Sequence, residues 1–295
     1  MILIAGGTGT LGKQVVRLLT ERGLEVRILT REPSRVLRLG GHAALVAGDV
    51  RDAATVRRAM MGADTVISAI QGFAGPGGVS PESVDHQGNA NLIGAARELG
   101  VGQFVLLSIH GAAPDHPMEL FQKKALAEQE LRASGVPWTI VRPTAYMETW
   151  LRLLGAPLVH SGATRIFGRG QNPINFVSAQ DVAQIVALAA TDPALRNAVI
   201  EVGGPENLTM RQVVETVERE TGKGGQVRSV PLPVMRVMAT LMRPVKPALA
   251  RQIRAGVVMD TTDMTFDASE RAGRFPSIPL TTLAEVVRRE YGASS

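Results

Sequence analysis

The sequence has no cysteine among its 295 residues. This absence excludes disulfide bonds, cysteine-ligated zinc, iron–sulfur clusters and thiol catalysis, so any chemistry has to come from oxygen and nitrogen groups. The histidines and carboxylates do not show the spacing of metal ligands, and we expect no catalytic metal.

Aromatic residues are also scarce, at 4% of the chain, and the formal net charge of +5 is scattered rather than gathered in a basic stripe. Because nucleic-acid-binding proteins usually concentrate positive charge and interleave aromatic side chains, we expect no nucleic-acid partner. The longest stretch without charge, residues 65–81, is interrupted by glycines and prolines, so no membrane span is expected. The apolar run Ile2–Ala5 lacks a basic leader, and the expectation is a cytoplasmic protein.

Apolar residues make up 45% of the chain, enough for a large core, and the first 143 residues alternate short apolar strands with amphipathic helices. The first strand, Ile2–Ala5, is followed by a helical stripe of Leu11, Val15, Leu18 and Leu19. This rhythm is typical of a parallel sheet covered on both faces. We therefore predict an α/β fold with a doubly wound, parallel-sheet Rossmann domain over residues 1–155, joined by the strand near 198–204.

Residues 156–295 lose this alternation and are predicted to form a smaller, mostly helical domain on the substrate side. Two capping boxes, Thr209 with Gln212 and Thr282 with Glu285, indicate helix starts. A methionine-rich helical pair spans residues 234–259 and places Met235, Met238 and Met242 on one face. Such a face is more typical of a loosely packed core or a lid than of a membrane-binding surface.

A glycine-rich turn joins the first strand to the first helix. In this context glycines allow a tight turn, a close approach to a pyrophosphate and close helix–strand packing, while the helix N-terminus faces the phosphates. The turn predicts a dinucleotide site made by Gly6, Thr8, Gly9, Thr10, Leu11 and Gly12. The alternative is a strand-to-helix turn without a ligand.

The spacing GxxGxxG, Arg31 after the second predicted strand, Gly48-Asp49-Val50 after the third, and the run from Lys124 through Glu128 to Gly135 recur together in order. With Thr139-Ile140-Val141-Arg142-Pro143, this pattern resembles the NmrA-like members of the atypical short-chain dehydrogenases/reductases. The resemblance covers residues 1 to about 210. It implies NAD(P) binding, with Asp49 and Val50 flanking the adenine, and Ala69, Lys124 and Pro143 also beside the cofactor.

The end of the second strand decides between the two dinucleotides. An acid there suits the ribose hydroxyls of NAD, whereas the guanidinium of Arg31 suits the additional phosphate of NADP. We therefore favour NADP(H) over NAD(H). The alternative is that Arg31 only contacts solvent or Glu32.

The tyrosine that usually acts as proton donor in short-chain reductases is missing, because Leu120 stands four residues before Lys124. The resemblance implies that Lys124 serves as general acid/base, unless it only anchors the nicotinamide ribose. Ser108 is a candidate for binding a substrate oxygen, or else caps a strand end. His110 is a candidate proton donor near neutral pH, or else satisfies local backbone groups.

Three aromatic residues, Phe73, Tyr146 and Trp150, are candidates for the wall of an apolar substrate pocket, with packing between domains as the alternative. We predict an NADPH-dependent reductase of a small apolar carbonyl, quinone or conjugated compound. The rival hypothesis is a non-catalytic NAD(P)-binding sensor or assembly factor, and a sugar-nucleotide epimerase or dehydratase ranks third. The sequence predicts neither the substrate nor the oligomeric state.

Overall fold

The computed structural model describes residues 1–36, 43–73, 75 and 78–292, and the chain divides into two compact units. The first unit contains Met1–Pro143 and Val182–Glu201, and the second contains Thr144–Asp181 and Val202–Ser295. The division therefore falls at residue 143 rather than at the expected 155, and residues 182–201 return to the first unit. Buried hydrogen bonds explain this return, since Gln103 donates to the carbonyl of Ala189 and Thr139 to that of Leu195.

Twelve strands lie in the described part of the chain. In chain order they are β1 (Ile2–Ala5), β2 (Val26–Thr30), β3 (Ala44–Ala47), β4 (Thr65–Ser68), β5 (Gln103–Leu107), β6 (Trp138–Pro143), β7 (Ala145–Tyr146), β8 (Ala163–Phe167), β9 (Ile174–Val177), β10 (Ala198–Val202), β11 (Glu206–Leu208) and β12 (Gln226–Val230).

The described residues also form thirteen α-helices. They are α1 (Thr10–Glu21), α2 (Pro33–Val36), α3 (Ala53–Met60), α4 (Gln87–Glu98), α5 (Glu119–Ala133), α6 (Met147–Trp150), α7 (Ala156–Ser161), α8 (Ala179–Thr191), α9 (Met210–Thr221), α10 (Leu232–Met242), α11 (Pro247–Thr261), α12 (Ser269–Arg274) and α13 (Leu283–Tyr291). π-Helical turns at Pro81–His86 and Leu151–Gly155 precede α4 and α7, and a 3₁₀ turn, Pro193–Leu195, follows α8.

The first unit is built on a seven-stranded sheet of order β10-β6-β5-β4-β1-β2-β3. Six neighbouring strands of this sheet, in the order β6-β5-β4-β1-β2-β3, pair in parallel, which confirms the predicted Rossmann fold. The order reverses between β1 and β4, and the crevice at such a point, beyond the carboxyl ends of the strands, is where doubly wound sheets bind ligands. Strand β10 lies at one edge of this sheet, next to β6.

The core of the first unit follows from its apolar strands. Leu3, Val66, Phe104, Leu106 and Ile140 have no exposed surface and pack in one cluster against helices α3, α4 and α5. The core immobilises the strands, so side chains and backbone groups at the strand ends are held in fixed positions.

The second unit is mostly helical, as expected, but it also contains two small sheets, β11-β9-β7 and β12-β8. Both predicted capping boxes are confirmed: Thr209 caps α9 with Gln212, and Thr282 caps α13 with Glu285. A second apolar core forms around Phe176, Val213 and Val286. Among the described residues, no helix is long and apolar enough to cross a membrane.

Candidate cofactor and active site

Two glycines of the turn after β1 are required by the protein's own backbone. Gly6 has a φ of +87°, and a Cβ placed on it would lie 2.4 Å from the carbonyl oxygen of Ala69. A Cβ on Gly12 would lie 2.1 Å from the carbonyl oxygen of Gly6. These glycines therefore allow β1, β4 and α1 to approach each other closely.

Gly9 is different, because a Cβ there would meet only the carbonyl of Gly6, at an ordinary 3.4 Å. Gly9 is also the N-cap of α1, and it has no side chain to occupy the first turn of the helix. The side chain of Leu11 is buried, so this residue presents only its backbone to the crevice, while Thr8 is exposed. The turn therefore leaves room at a helix N-terminus for an anionic group, which is the shape that a dinucleotide pyrophosphate requires.

Two arginines lie beyond β2 and β3. Arg31 is exposed, and Arg51 donates to Asp49 through its backbone N–H at 3.0 Å and through Nη2 at 2.6 Å. The hydrogen bonds from Arg51, assisted by the charge of Arg31, hold the pKa of Asp49 below its usual range despite partial burial. Arg51 was not among the predicted site residues, although the sequence shows a basic residue two positions after Asp49. The three side chains together carry a net positive charge.

Lys124 is 3% exposed, and its ammonium group donates to two backbone carbonyls and forms an ion pair with a buried carboxylate. Its Nζ lies 2.9 Å from the carbonyl oxygen of Ile70, 2.8 Å from that of Leu107 and 3.0 Å from Oδ1 of Asp85. Asp85 has no exposed surface, and its Oδ2 accepts the N–H of Gly72 at 2.8 Å. Burial raises the pKa of Asp85, and the charge of Lys124 opposes that rise. Lys124 thus joins the ends of β4 and β5 to the turn before α4.

Ser108 follows β5 and donates its hydroxyl to Glu128 of α5. Glu128 also accepts from Nε of Arg142 at 2.8 Å and from Nη2 of the same side chain at 2.6 Å. Ser108 is therefore tied to a buried carboxylate by the protein itself, and Arg142 neutralises that carboxylate.

His110 stands in the loop after β5, and its Nδ1 lies 2.8 Å from Oε2 of Glu201 on β10. The other oxygen of Glu201 accepts from Nη1 of Arg142 at 2.9 Å. Partial burial raises the pKa of Glu201, but the hydrogen bonds from His110 and Arg142 outweigh it and leave the pKa below its ordinary value. A continuous chain of polar contacts therefore runs from His110 through Glu201, Arg142 and Glu128 to Ser108. Glu201 and Glu128 were absent from the predicted site because nothing in the sequence pairs them with His110 or Ser108.

The outer face of α5 carries a separate polar cluster. Lys123 pairs with Glu82 at 2.6 Å, whereas Lys124 pairs with Asp85. The ring of His86 lies between Glu82 and Glu130, each 2.9 Å from one of its nitrogens. Burial opposes protonation of His86, but the two carboxylates raise its pKa.

The aromatic candidates lie in different units. Phe73 belongs to the first unit and is partly buried. Tyr146 and Trp150 belong to the second, where the Trp150 ring packs edge to face on Phe176 with centroids 6.3 Å apart. Burial raises the pKa of the Tyr146 phenol, assisted by the charge of Glu148, so this tyrosine is a poor proton donor. A pocket shared by the three remains a prediction.

The predicted residues of the first unit lie along one edge of its sheet. The turn at Gly6 follows β1, Arg31 follows β2, Asp49 and Val50 follow β3, Ala69 follows β4, Ser108 and His110 follow β5, and Pro143 ends β6. Because these strands are parallel, the residues lie at the carboxyl ends that flank the ligand crevice. The sheet therefore brings the predicted cofactor residues to one edge. Leu120, at the position of the usual tyrosine, is buried in α5.

Comparisons with known proteins agree with this geometry. A family described as NAD(P)H-binding matches residues 6–193. The NAD(P)H azoreductase of Xenophilus azovorans is 31% identical over 224 residues, which cover 76% of this chain and 74% of that protein. The photosystem II assembly factor Ycf39 of Synechocystis sp. is 28% identical over 244 residues, covering 82% and 74%.

The fold is shared with the NADPH-dependent quinone oxidoreductase of Escherichia coli solved with NADPH. That structure has a TM-score of 0.78 and 23% sequence identity, and the match covers 99% of this chain and all of the other.

Proposed function

The chain belongs to the NAD(P)H-binding family, in the NmrA-like group of atypical short-chain dehydrogenases/reductases, and on that premise we propose an NADPH-dependent reductase of small apolar carbonyl, quinone or conjugated compounds. The observation that carries this proposal is the space at Gly9 in front of the α1 N-terminus, which fits a pyrophosphate and which the protein's own packing does not need. The azoreductase relative and the quinone oxidoreductase with the same fold support the reaction class.

Positive charge beyond the ends of β2 and β3 favours NADPH over NADH. Arg31 and Arg51 stand beyond the ends of β2 and β3 with one carboxylate, Asp49, between two guanidinium groups. An additional phosphate on the adenosine ribose would gain charge-assisted hydrogen bonds from such a pair. NAD(H) has no phosphate at this position to accept those hydrogen bonds.

Bound NADPH would supply the hydride, and the protein then has to supply a proton or stabilise the negative charge that develops on the acceptor. We assign this role to His110 rather than to Lys124. The Lys124 side chain is 4% exposed and engaged with two carbonyl oxygens and the Asp85 carboxylate, whereas the His110 side chain is 37% exposed. Glu201 orients the His110 ring, as carboxylates orient histidines in many acid–base sites.

Ser108 and Lys124 then act as positioning residues. Ser108 holds Glu128, which fixes Arg142, and Arg142 in turn fixes Glu201. Lys124 fixes the ends of β4 and β5 beside the crevice. Because these groups contact the protein, their contribution is the rigidity of the site.

The test is NADPH oxidation by the full-length protein over a panel of quinones, aldehydes and azo or conjugated acceptors. His110→Asn is expected to lower kcat by about the ~10²–10⁴ that a general acid contributes, with the Kd for NADPH little changed. His160→Asn, a change at an exposed histidine of the second unit, is the matched control and keeps full turnover. Equal turnover of His110→Asn and wild type would remove His110 from the mechanism.

Glu201→Gln separates positioning from mere structure. The amide keeps the shape of the side chain but loses the carboxylate that orients the His110 ring, so kcat should fall while the Kd for NADPH stays close to wild type. The same change made in His110→Asn should then have little further effect on kcat, and an equal loss in both backgrounds would contradict a role for Glu201 through His110.

A second function, a non-catalytic NAD(P)-binding assembly factor or sensor, is favoured by one specific observation. Leu120 replaces the usual tyrosine and is buried, and the Synechocystis relative is an assembly factor by name. Tight NADPH binding without oxidation by any acceptor in the panel would support this function against the reductase.

A further inference from the structure

Helix α10 exposes an apolar stripe to solvent. Val234, Val237, Met238 and Leu241 follow one another at helical i, i+3, i+4 and i+7 spacing, and all four are exposed. Val237 is 59% exposed, Leu241 63%, and Val245 in the following turn 72%. Soluble proteins expose single apolar side chains commonly, but a continuous stripe of them marks an interaction surface.

This stripe is not part of the core. The opposite side of α10 buries Met235 and Ala239 against Ile253 of α11, so the helix is already anchored through a different face. The expected methionine face is thereby divided, because Met235 is buried while Met238 is 40% exposed. The outer stripe can change without loss of those packing contacts.

The surrounding segment carries charge of one sign. Residues 221–259 contain no aspartate or glutamate and seven cations, which are Lys223, Arg228, Arg236, Arg243, Lys246, Arg251 and Arg254. Their formal charge is +7, so the rest of this +5 chain carries −2. Arg243 and Lys246 flank the protruding Val245, and both are exposed.

The exposed apolar stripe and the positive charge around it together indicate which kind of partner this face binds. A second copy of the chain would bring the same cations face to face across a two-fold interface, which is repulsive. The hot spots of protein–protein interfaces are enriched in tryptophan and tyrosine, and residues 221–259 contain no aromatic residue of this kind. An anionic lipid surface needs neither complementarity of shape nor aromatic anchors, only aliphatic side chains for the acyl boundary and cations for the headgroups.

We propose that the outer face of α10 and the turn to α11, defined by Val234, Val237, Met238, Leu241 and Val245, is a docking surface for anionic lipid bilayers. The aliphatic side chains enter the headgroup and acyl boundary, and the exposed cations beside them, Arg243 and Lys246, hold the protein on the surface by charge. The attachment is reversible and peripheral. It is independent of whether the first unit catalyses a reduction.

The experiment is co-sedimentation of the full-length protein with phosphatidylcholine vesicles prepared with and without phosphatidylglycerol. Binding is expected only to the vesicles that contain phosphatidylglycerol, and it should weaken as salt rises because screening shortens the reach of the cations. The triple variant Val237→Ser/Leu241→Ser/Val245→Ser should bind at least about tenfold more weakly, given the value of burying aliphatic side chains. Its circular-dichroism spectrum should match wild type because all three positions are exposed.

Two matched controls separate this face from a general effect of apolarity or charge. Met61→Ser/Leu153→Ser removes exposed apolar side chains elsewhere and should bind like wild type. Arg22→Gln/Arg97→Gln/Arg196→Gln removes three exposed cations of the first unit and should bind nearly as well, whereas Arg236→Gln/Arg243→Gln/Lys246→Gln should lose binding by about fivefold per cation that reaches the surface.

Three results would overturn the proposal. The first is absence of binding to phosphatidylglycerol vesicles at low salt, which would leave an acidic protein as the occupant. The second is wild-type binding by the triple serine variant. The third is a dimer in sedimentation velocity that the triple variant dissolves, which would make this face a contact between two copies.

Discussion

Replacing Lys124 by methionine tests whether this residue stabilises the buried strand ends or acts as a proton donor to the substrate. In the structure the change removes the only cation within ion-pairing distance of Asp85 among the described residues and takes a donor from the carbonyls of Ile70 and Leu107. Asp85 would then keep the N–H of Gly72 as its remaining hydrogen bond from a donor in the described structure. Breaking a buried pair from one side costs about 3–5 kcal/mol, a large part of the ~5–15 kcal/mol by which proteins are stable.

The assay is urea unfolding followed by tryptophan fluorescence in a Trp150→Phe background. Trp138 lies on β6 in the first unit, so its emission then reports on the unit that contains Lys124. In that background Lys124→Met should lower the free energy of unfolding by about 3–5 kcal/mol. Adding Asp85→Asn should recover part of this loss, because the amide removes the uncompensated charge and still accepts from Gly72.

The pH dependence of the loss has a definite sign. Burial already raises the pKa of Asp85, and without Lys124 no other charge among the described residues opposes that rise. A carboxyl with a raised folded pKa loses stability as pH rises from its ordinary value through the folded value. The defect of Lys124→Met should therefore be small in acid and grow toward neutral pH.

Two outcomes would refute this reasoning. Lys124→Met could unfold within about 1 kcal/mol of the background, which would show that Nζ is not held by these acceptors. Alternatively, stability could be unchanged while kcat falls by the ~10²–10⁴ of a lost general acid. That second result would establish Lys124 as the catalyst that the family resemblance implies.

Three further predictions concern the cofactor loop and the polar clusters. Arg31→Ala should weaken the binding of NADPH by about tenfold or more and leave the binding of NADH unchanged, because a hydrogen bond to a charged group contributes ~1.5–3 kcal/mol. Equal losses of affinity for both dinucleotides in calorimetry would show that Arg31 does not bind the additional phosphate. Gly9→Val should abolish dinucleotide binding with an unchanged circular-dichroism spectrum, whereas Gly12→Val should also unfold at lower urea, since its Cβ would meet backbone at 2.1 Å. The raised pKa of His86 means that its stabilisation is complete below the ordinary value of 6.5 and is lost as pH rises through the folded value. His86→Asn should flatten that slope in urea titrations, and a parallel slope would contradict the role of its two carboxylates.

Local rules explain what the sequence could predict. The glycine turn and the capping boxes of α9 and α13 depend on residues a few positions apart, so their spacing is visible in the chain. The parallel strands β1 to β6 are likewise apolar runs with turn residues between them.

Contacts between residues far apart in the chain explain what the sequence could not predict. Glu201 lies 91 positions from His110, and Glu128 lies 20 positions from Ser108. Lys124 fits the family pattern, but the depth at which its ammonium group is held depends on Asp85 and two strand ends. The short strands of the second unit were missed because β7 and β11 have only two and three residues, too few for a period to be read.

The return of residues 182–201 to the first unit has a consequence for synthesis on the ribosome. Strand β6 is complete when Pro143 has emerged, but its outer neighbour β10 begins at Ala198. While the intervening 54 residues are synthesised, the nascent sheet has an unpaired edge at β6. The carbonyl groups of Ala189 and Leu195, which accept hydrogen bonds from Gln103 and Thr139, also emerge only late in this interval. Unpaired edges of this kind recruit other strands and favour aggregation. Chains that stall or are truncated between residues 144 and 197 should therefore be the species that chaperones capture and that accumulate in inclusion bodies.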